Sequence, residues 1–145
     1  MNHTQILNGI EQTDYWDAQI LDFEIKYLGD EVNLFIESHA LEDVEKFCWR
    51  IKFLRCAKVN YETDANWLTE SQGKKTLWRE KDVKTLRGGQ LLGYSGYDIQ
   101  VLNMGDEFYS SKIILANMSI NIVCQDIEVS KVLIADQHFF WDEDN

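Results

Sequence analysis

The sequence predicts a single α+β domain over residues 1–145, mainly antiparallel β, folded as a strongly curved sheet or open sandwich with one or two short helices. Three observations carry that expectation. Apolar and polar residues alternate with a period of two through most of the chain, the spacing of strands with one buried and one wet face. Only the N-terminal segment and a short stretch from Asp82 to Gly88 suggest helix. Proline is absent and nothing resembles a linker, so chain reversals fall to glycine, asparagine and aspartate. At 145 residues, 45% hydrophobic and 12% aromatic, the chain can bury one substantial core.

Ile6, Leu7 and Ile10 follow Thr4, the expected N-cap, and predict the first helix. In LDFEIKY, Leu21, Phe23, Ile25 and Tyr27 share one face while Asp22, Glu24 and Lys26 share the other. Leu28-Gly29-Asp30-Glu31 supplies a turn, and Val32, Leu34 and Ile36 resume the alternation, so residues 19–38 read as a hairpin. In FCWRIKFLRCAKVNY the apolar parity runs through Phe47, Trp49, Ile51, Phe53, Ala57, Val59 and Tyr61, with Arg50, Lys52 and Lys58 opposite. Arg55 alone interrupts it, as a bulge or a side chain reaching for solvent would. Beyond residue 62 the pattern gives way to loop, with a short helix expected from an Asp82 cap to Gly88. Strands are expected again at 97–103, 108–116 and 119–130, with Met118, Ile120, Ile122 and Cys124 on one face. HFFW, residues 138–141, is expected to end on the core ahead of the acidic ending WDEDN.

One pattern is written three times: LDFEI at 21–25, YDIQV at 97–101 and QDIEV at 125–129. The copies are irregularly spaced, which argues against a solenoid. A half-buried strand must alternate, so each copy reads as a strand with its acids outward.

Most reactive chemistry finds no support. His3, His39 and His138 are the only histidines, and the one conceivable nucleophile pair, Cys48 with His39, has no orienting third group and an acidic neighbourhood that suppresses thiolate. Cys48, Cys56 and Cys124 fit neither a disulfide framework nor a zinc knuckle and read as reduced thiols. Cys48 and Cys56 stand roughly 26 Å apart along an extended strand, too far to share a zinc ion. No catalytic residue, metal site or cofactor is expected. The glycines of RGGQLLGYSGY lack the spacing of a phosphate cradle. Paired carboxylates such as Asp22 with Glu24, or Asp126 with Glu128, have the spacing of hydrolytic pairs, but nothing in the sequence indicates a cleft, and a solvated strand face is the expectation.

Charge says more. The net charge is −11, and residues 1–45 hold eleven acids against the single base Lys26. Residues 74–87 hold Lys74, Lys75, Arg79, Lys81, Lys84 and Arg87 against Glu80 and Asp82, a patch expected to complement the protein's own acids or a second copy. The acidic body repels nucleic acid and anionic lipid and attracts a basic protein. No apolar run approaches the roughly 18 residues of a membrane span, and the N-terminus lacks a signal pattern, so a cytoplasmic location without membrane association is expected.

The segments YWDAQILDFEIKYLGDEVNLFI, WRIKFLRCAKVNY and KIILANMSINIVCQDIEV together resemble small acidic bacterial immunity-type proteins encoded beside polymorphic toxins. The resemblance implies a non-enzymatic inhibitor that covers a toxin's active surface, often with acids opposing a basic nuclease. On that reading the candidate partner-binding residues are Asp22, Glu24, Asp98, Asp126 and Glu128, with exposed aromatics as anchors. Two rival readings stay open: a structural module, or homo-oligomer, pairing through sheet edges, and a small-molecule binder or hydrolase with an acidic pocket.

Overall fold

One helix and six strands account for most of residues 1–43, 46–63, 95–116 and 118–139, which the structure, a computed structural model, describes. Helix α1 spans His3–Gln12. The strands are β1 (Ile20–Lys26), β2 (Glu31–Glu37), β3 (Phe47–Thr63), β4 (Gly96–Gly105), β5 (Phe108–Leu115) and β6 (Met118–Leu133). Every strand pair is antiparallel, in the order β1-β2-β3-β6-β5-β4. The expected α+β class, hairpin and three late strands are all present. The helix expected at 82–88, the basic segment 74–87 and the end of the chain from 140 lie outside the described residues.

The sheet is two halves offset along one ribbon. β3 and β6, with 17 and 16 residues, pair from Phe47↔Leu133 to Thr63↔Met118. β2 pairs with β3 only from Cys48 to Leu54, and β5 with β6 only from Met118 to Cys124. The first half is therefore β1, β2, the start of β3 and the end of β6; the second is the end of β3, the start of β6, β5 and β4.

Curvature follows from where the edges meet. Six strands laid flat would put the edge strands roughly 24 Å apart. Instead Trp16 bridges Gly96 and Gln19 bridges Ser95, with Asp17 N donating to Gly96 O at 2.7 Å and Gly96 N to Ala18 O at 2.9 Å. The sheet stays open beyond this clasp. Glycine is required there, since a Cβ on Gly96 would lie 2.4 Å from the Tyr15 carbonyl oxygen. α1 covers the inner face, burying Ile6 and Ile10 among Val32, Leu34, Ile51 and Phe53 of the first half and Ile99, Val101, Ile113 and Ile122 of the second. Gly9 lets the helix settle on Val129, which a Cβ would meet at 3.1 Å. The helix starts at Asn2, whose side chain accepts from Gln5 N while Gln5 answers Asn2 N, a full capping box. The cap is thus Asn2 and not Thr4. A second acceptor at Gln5 makes the earlier start the better one.

Strict alternation fails where the ladder slips. Leu21 is skipped between Ile20↔Ile36 and Asp22↔Phe35, so Leu21 turns away from Phe23 instead of sharing its face. It joins Phe35, Cys48 and Phe139 in a second apolar cluster on the outer face of the first half. Phe139 meets Phe35 edge to face at 4.9 Å. HFFW thus delivers Phe139 to the outer cluster rather than the main core. On β3, Arg55 is exposed with φ 52°, and a bulge between Cys56 and Lys58 turns Cys56 toward the core and leaves Ala57 in solvent, correcting the inward place expected for Ala57. Tyr27 belongs to the turn, not the strand, and is 72% exposed.

Two of the recurring aspartates share a setting. Leu21 and Tyr97, the residues immediately before Asp22 and Asp98, are skipped where the register shifts, whereas the β3–β6 register is unchanged between Leu54↔Asp126 and Cys56↔Cys124. Asp22 and Asp126 each accept from the N–H of the next residue, Phe23 and Ile127, at 2.8 Å. At Asp22 a short carboxylate that satisfies a local amide suits a strand restarting after a slip.

Candidate partner-binding surface

Register and alternation place the candidate acids. In the first half the residues opposite the main core form cross-strand rows: Asp22–Phe35–Arg50–Ser130, then Glu24–Asn33–Lys52–Glu128, then Lys26–Glu31–Leu54–Asp126. Asp22, Glu24, Asp126 and Glu128, far apart in sequence, therefore share the outer face of one half-sheet. Asp98 does not join them, because it lies on β4 at the far edge of the second half, where Gln100 donates to it at 2.7 Å.

Each acid has a distinct environment. Asp22 is only partly exposed beside the outer apolar cluster, and burial, partly offset by the Phe23 amide and reinforced by Glu24, pushes its carboxyl up to about 6. Its anion is poorly accommodated, against the water-facing acid that alternation predicts. Glu24 accepts from Asn33 Nδ2 at 3.1 Å and lies 3.5 Å from Lys26 Nζ. Asn33 Nδ2 also donates to Glu31 at 3.0 Å, and Lys52 approaches Glu31 at 3.9 Å. Asn33 is buried, yet its Oδ1 has no partner, and neither does Arg50 Nε on the neighbouring row. Asp126 is held inside the molecule, by the Met1 amino group at 2.9 Å and Arg55 at 3.9 Å. Glu128 is exposed, without an ion pair among the described residues.

Beside the last row, the β1–β2 turn and the edge of β3 enclose a groove of about 500 Å³ lined by Ile25, Tyr27, Leu28, Asp30, Ala57 and Val59, among others. It forms because β2 starts at Glu31, opposite Leu54, while β3 runs on to Thr63. Tyr27 and Leu28 both adopt the left-handed conformation, φ 54° and 59°, and Leu28 stands fully exposed. Alternation missed these two residues. The available signal was two large apolar side chains directly before Gly29, inside a turn rather than a strand.

Among the described residues, reaction chemistry finds no constellation. Cys48 is buried in the outer cluster, not on a wet polar face, and desolvation pushes its thiol up to about 12; His39 is exposed. Cys56 and Cys124 face each other across β3 and β6, their thiols pushed up to about 11 and about 12 by burial. Such thiols are poor nucleophiles at neutral pH. No three His, Cys, Asp or Glu among the described residues are placed to hold a metal. Asp22, whose carboxyl is pushed up, does not line the groove.

No curated protein matches the chain. A crystal structure of an uncharacterized protein from Neisseria gonorrhoeae matches with a TM-score of 0.48 at 10% identity, over 80% of this chain and 92% of that one. No helix among the described residues is long and apolar enough to cross a membrane. The family model "Immunity protein PIM7" matches residues 2–131, nearly the whole chain. Because that match spans well over half of its length, the chain belongs to the PIM7 immunity protein family, non-enzymatic proteins that bind and neutralise a toxin.

Proposed function

We propose that this immunity protein meets its toxin, in the cytoplasm, through the outer face of the first half-sheet, with Asp22, Glu24 and Glu128 contacting basic side chains. The observation that carries this reading is the gathering of Asp22, Glu24, Asp126 and Glu128 into adjacent cross-strand rows on one face. Asp126 acts there through its internal ion pairs, holding the end of α1 and Arg55 beside the face. The perturbation of Asp22 supports the same face: an arginine or lysine brought alongside would relieve a carboxylate that the free protein accommodates badly. Asp98 lies outside the contact. A basic protein domain suits this face, whereas nucleic acid and anionic lipid are repelled by it.

The test is charge reversal at Glu24 and Glu128, which leaves the Asp126 ion pairs intact. Binding is measured against the catalytically inactivated toxin domain encoded beside the gene. The double variant is expected to raise Kd at least tenfold, chiefly by slowing association, and to flatten its salt dependence. A folded double variant with unchanged affinity and unchanged salt dependence would remove this face from the contact.

A further inference from the structure

The groove beside the acidic rows has features that the charged face alone does not explain. Ile25, Tyr27, Leu28 and Tyr61 are all large, apolar and substantially exposed, and all lie around the β1–β2 turn or the neighbouring end of β3. Two of them, Tyr27 and Leu28, occupy left-handed backbone that side chains rarely adopt, next to a glycine that would take it freely. A turn selected for stability alone would place asparagine or glycine at these positions. The strain holds Leu28 out from the surface.

The groove's second wall is a strand edge. Cys56 N donates to Asp30 O at 2.9 Å, the last backbone bond tying β3 to the hairpin. From Ala57 to Glu62 no strand among the described residues lies on this side of β3, so its outward backbone groups can pair with another extended chain. The charge around the opening is predominantly negative. Asp30 and Lys58 line it, and Glu31, Glu24 and Glu62 belong to the neighbouring strand ends; of the other nearby bases, Lys26 and Lys52 lie beside Glu24 and Glu31, and Arg55 beside Asp126.

We propose that this groove receives an extended segment of the toxin that pairs with β3 beyond the end of β2, seats a large apolar side chain against Leu28, Ile25 and Val59, and carries flanking arginine or lysine toward Asp30 and Glu31. The inference rests on the toxin-binding reading and adds to it an anchor: the acids steer the encounter, and the groove sets how long the complex lasts.

The experiment uses the full chain and the same inactivated toxin domain, with three variants: Leu28→Asn, Tyr27→Ala with Leu28→Ala, and the Glu24 and Glu128 reversal. Leu28→Asn suits the left-handed backbone, so its urea midpoint should rise while the toxin dissociates at least tenfold faster. The double alanine variant should show the same faster dissociation with near-normal association. Amides of residues 57–62 should exchange more slowly once toxin is bound. If both turn variants keep the dissociation rate within twofold and residues 57–62 gain no protection, while the acid reversal weakens binding, the groove is excluded and the acidic face stands. If the wild-type chain does not bind the domain, the toxin-face reading fails and this inference with it. If the turn variants alter only self-association in sedimentation, the occupant is a second copy and the proposal is overturned.

Discussion

β2 and β4 belong to one sheet yet meet solvent differently. β2 buries five successive residues, Val32 through Ile36, whereas β4 buries Ile99 and Val101 on one face and exposes its last four positions. The difference is tertiary. β2 lies between β1 and β3, with the main core on one side and the Phe35–Phe139 cluster on the other. β4 is an edge strand, covered on its inner face alone. The first half-sheet is therefore packed on both faces at β2, and it is the half that carries the charged rows and the groove.

The sharpest way to break that contrast is to remove the second cluster. Phe35→Ala is expected to cost about 3–5 kcal/mol in urea unfolding, comparable to a main-core deletion, because Phe35 is fully buried against Phe139. Ile114→Ala, on the outer face of β5 in the second half and only partly buried, should cost less than about 2 kcal/mol. Equal costs would mean that the two halves are covered alike.

Asp22 gives an effect of opposite sign in the same half. Its folded carboxyl titrates at about 6 against an ordinary 3.8, so between those values the folded state holds the extra proton. Stability therefore falls as pH rises through that window and stays lower above it, by on the order of 2–3 kcal/mol. Asp22→Asn should keep the acceptor for the Phe23 amide, flatten stability between pH 4 and 6, and stabilise the free protein at pH 7 by up to that amount. It should also weaken toxin binding. A variant no more stable at pH 7 than the parent would show that Asp22 is well solvated.

The smallest effect tests the element that spans both halves. Asn2→Ala removes one side of the capping box and should cost about 1 kcal/mol, read as a lower urea midpoint without loss of the sheet signal. A larger loss, with melting of β4 amides, would mean that α1 holds the halves together more tightly than its packing on β6 and β4 implies.

Much of this architecture was legible in period-two spacing, because the strands whose outer face meets water obey it. The late strands, the hairpin and the interruption at Arg55 all follow from that one rule. It could not anticipate residues that answer to distant parts of the chain. Phe139 lands on Phe35 from more than a hundred positions away, so Leu21, expected on the same face as Phe23, and Cys48, whose strand parity is that of the polar residues, are core residues of a second layer. The acids were visible as a pattern, but their gathering into rows depends on the β3–β6 register, and the exclusion of Asp98 depends on strand order. Tyr27 and Leu28 were absorbed into a strand and a turn because hydropathy alone does not report backbone strain.

The shared ribbon has a consequence for how the molecule breathes. Since β3 and β6 serve both halves, the outer strands can open only after the clasp at Gly96 parts, and the central amides around Ile51, Phe53 and Ile127 should be the last to yield to deuterium. A toxin that grips one wing would then slow exchange in the other as well, through the clasp and the core they share.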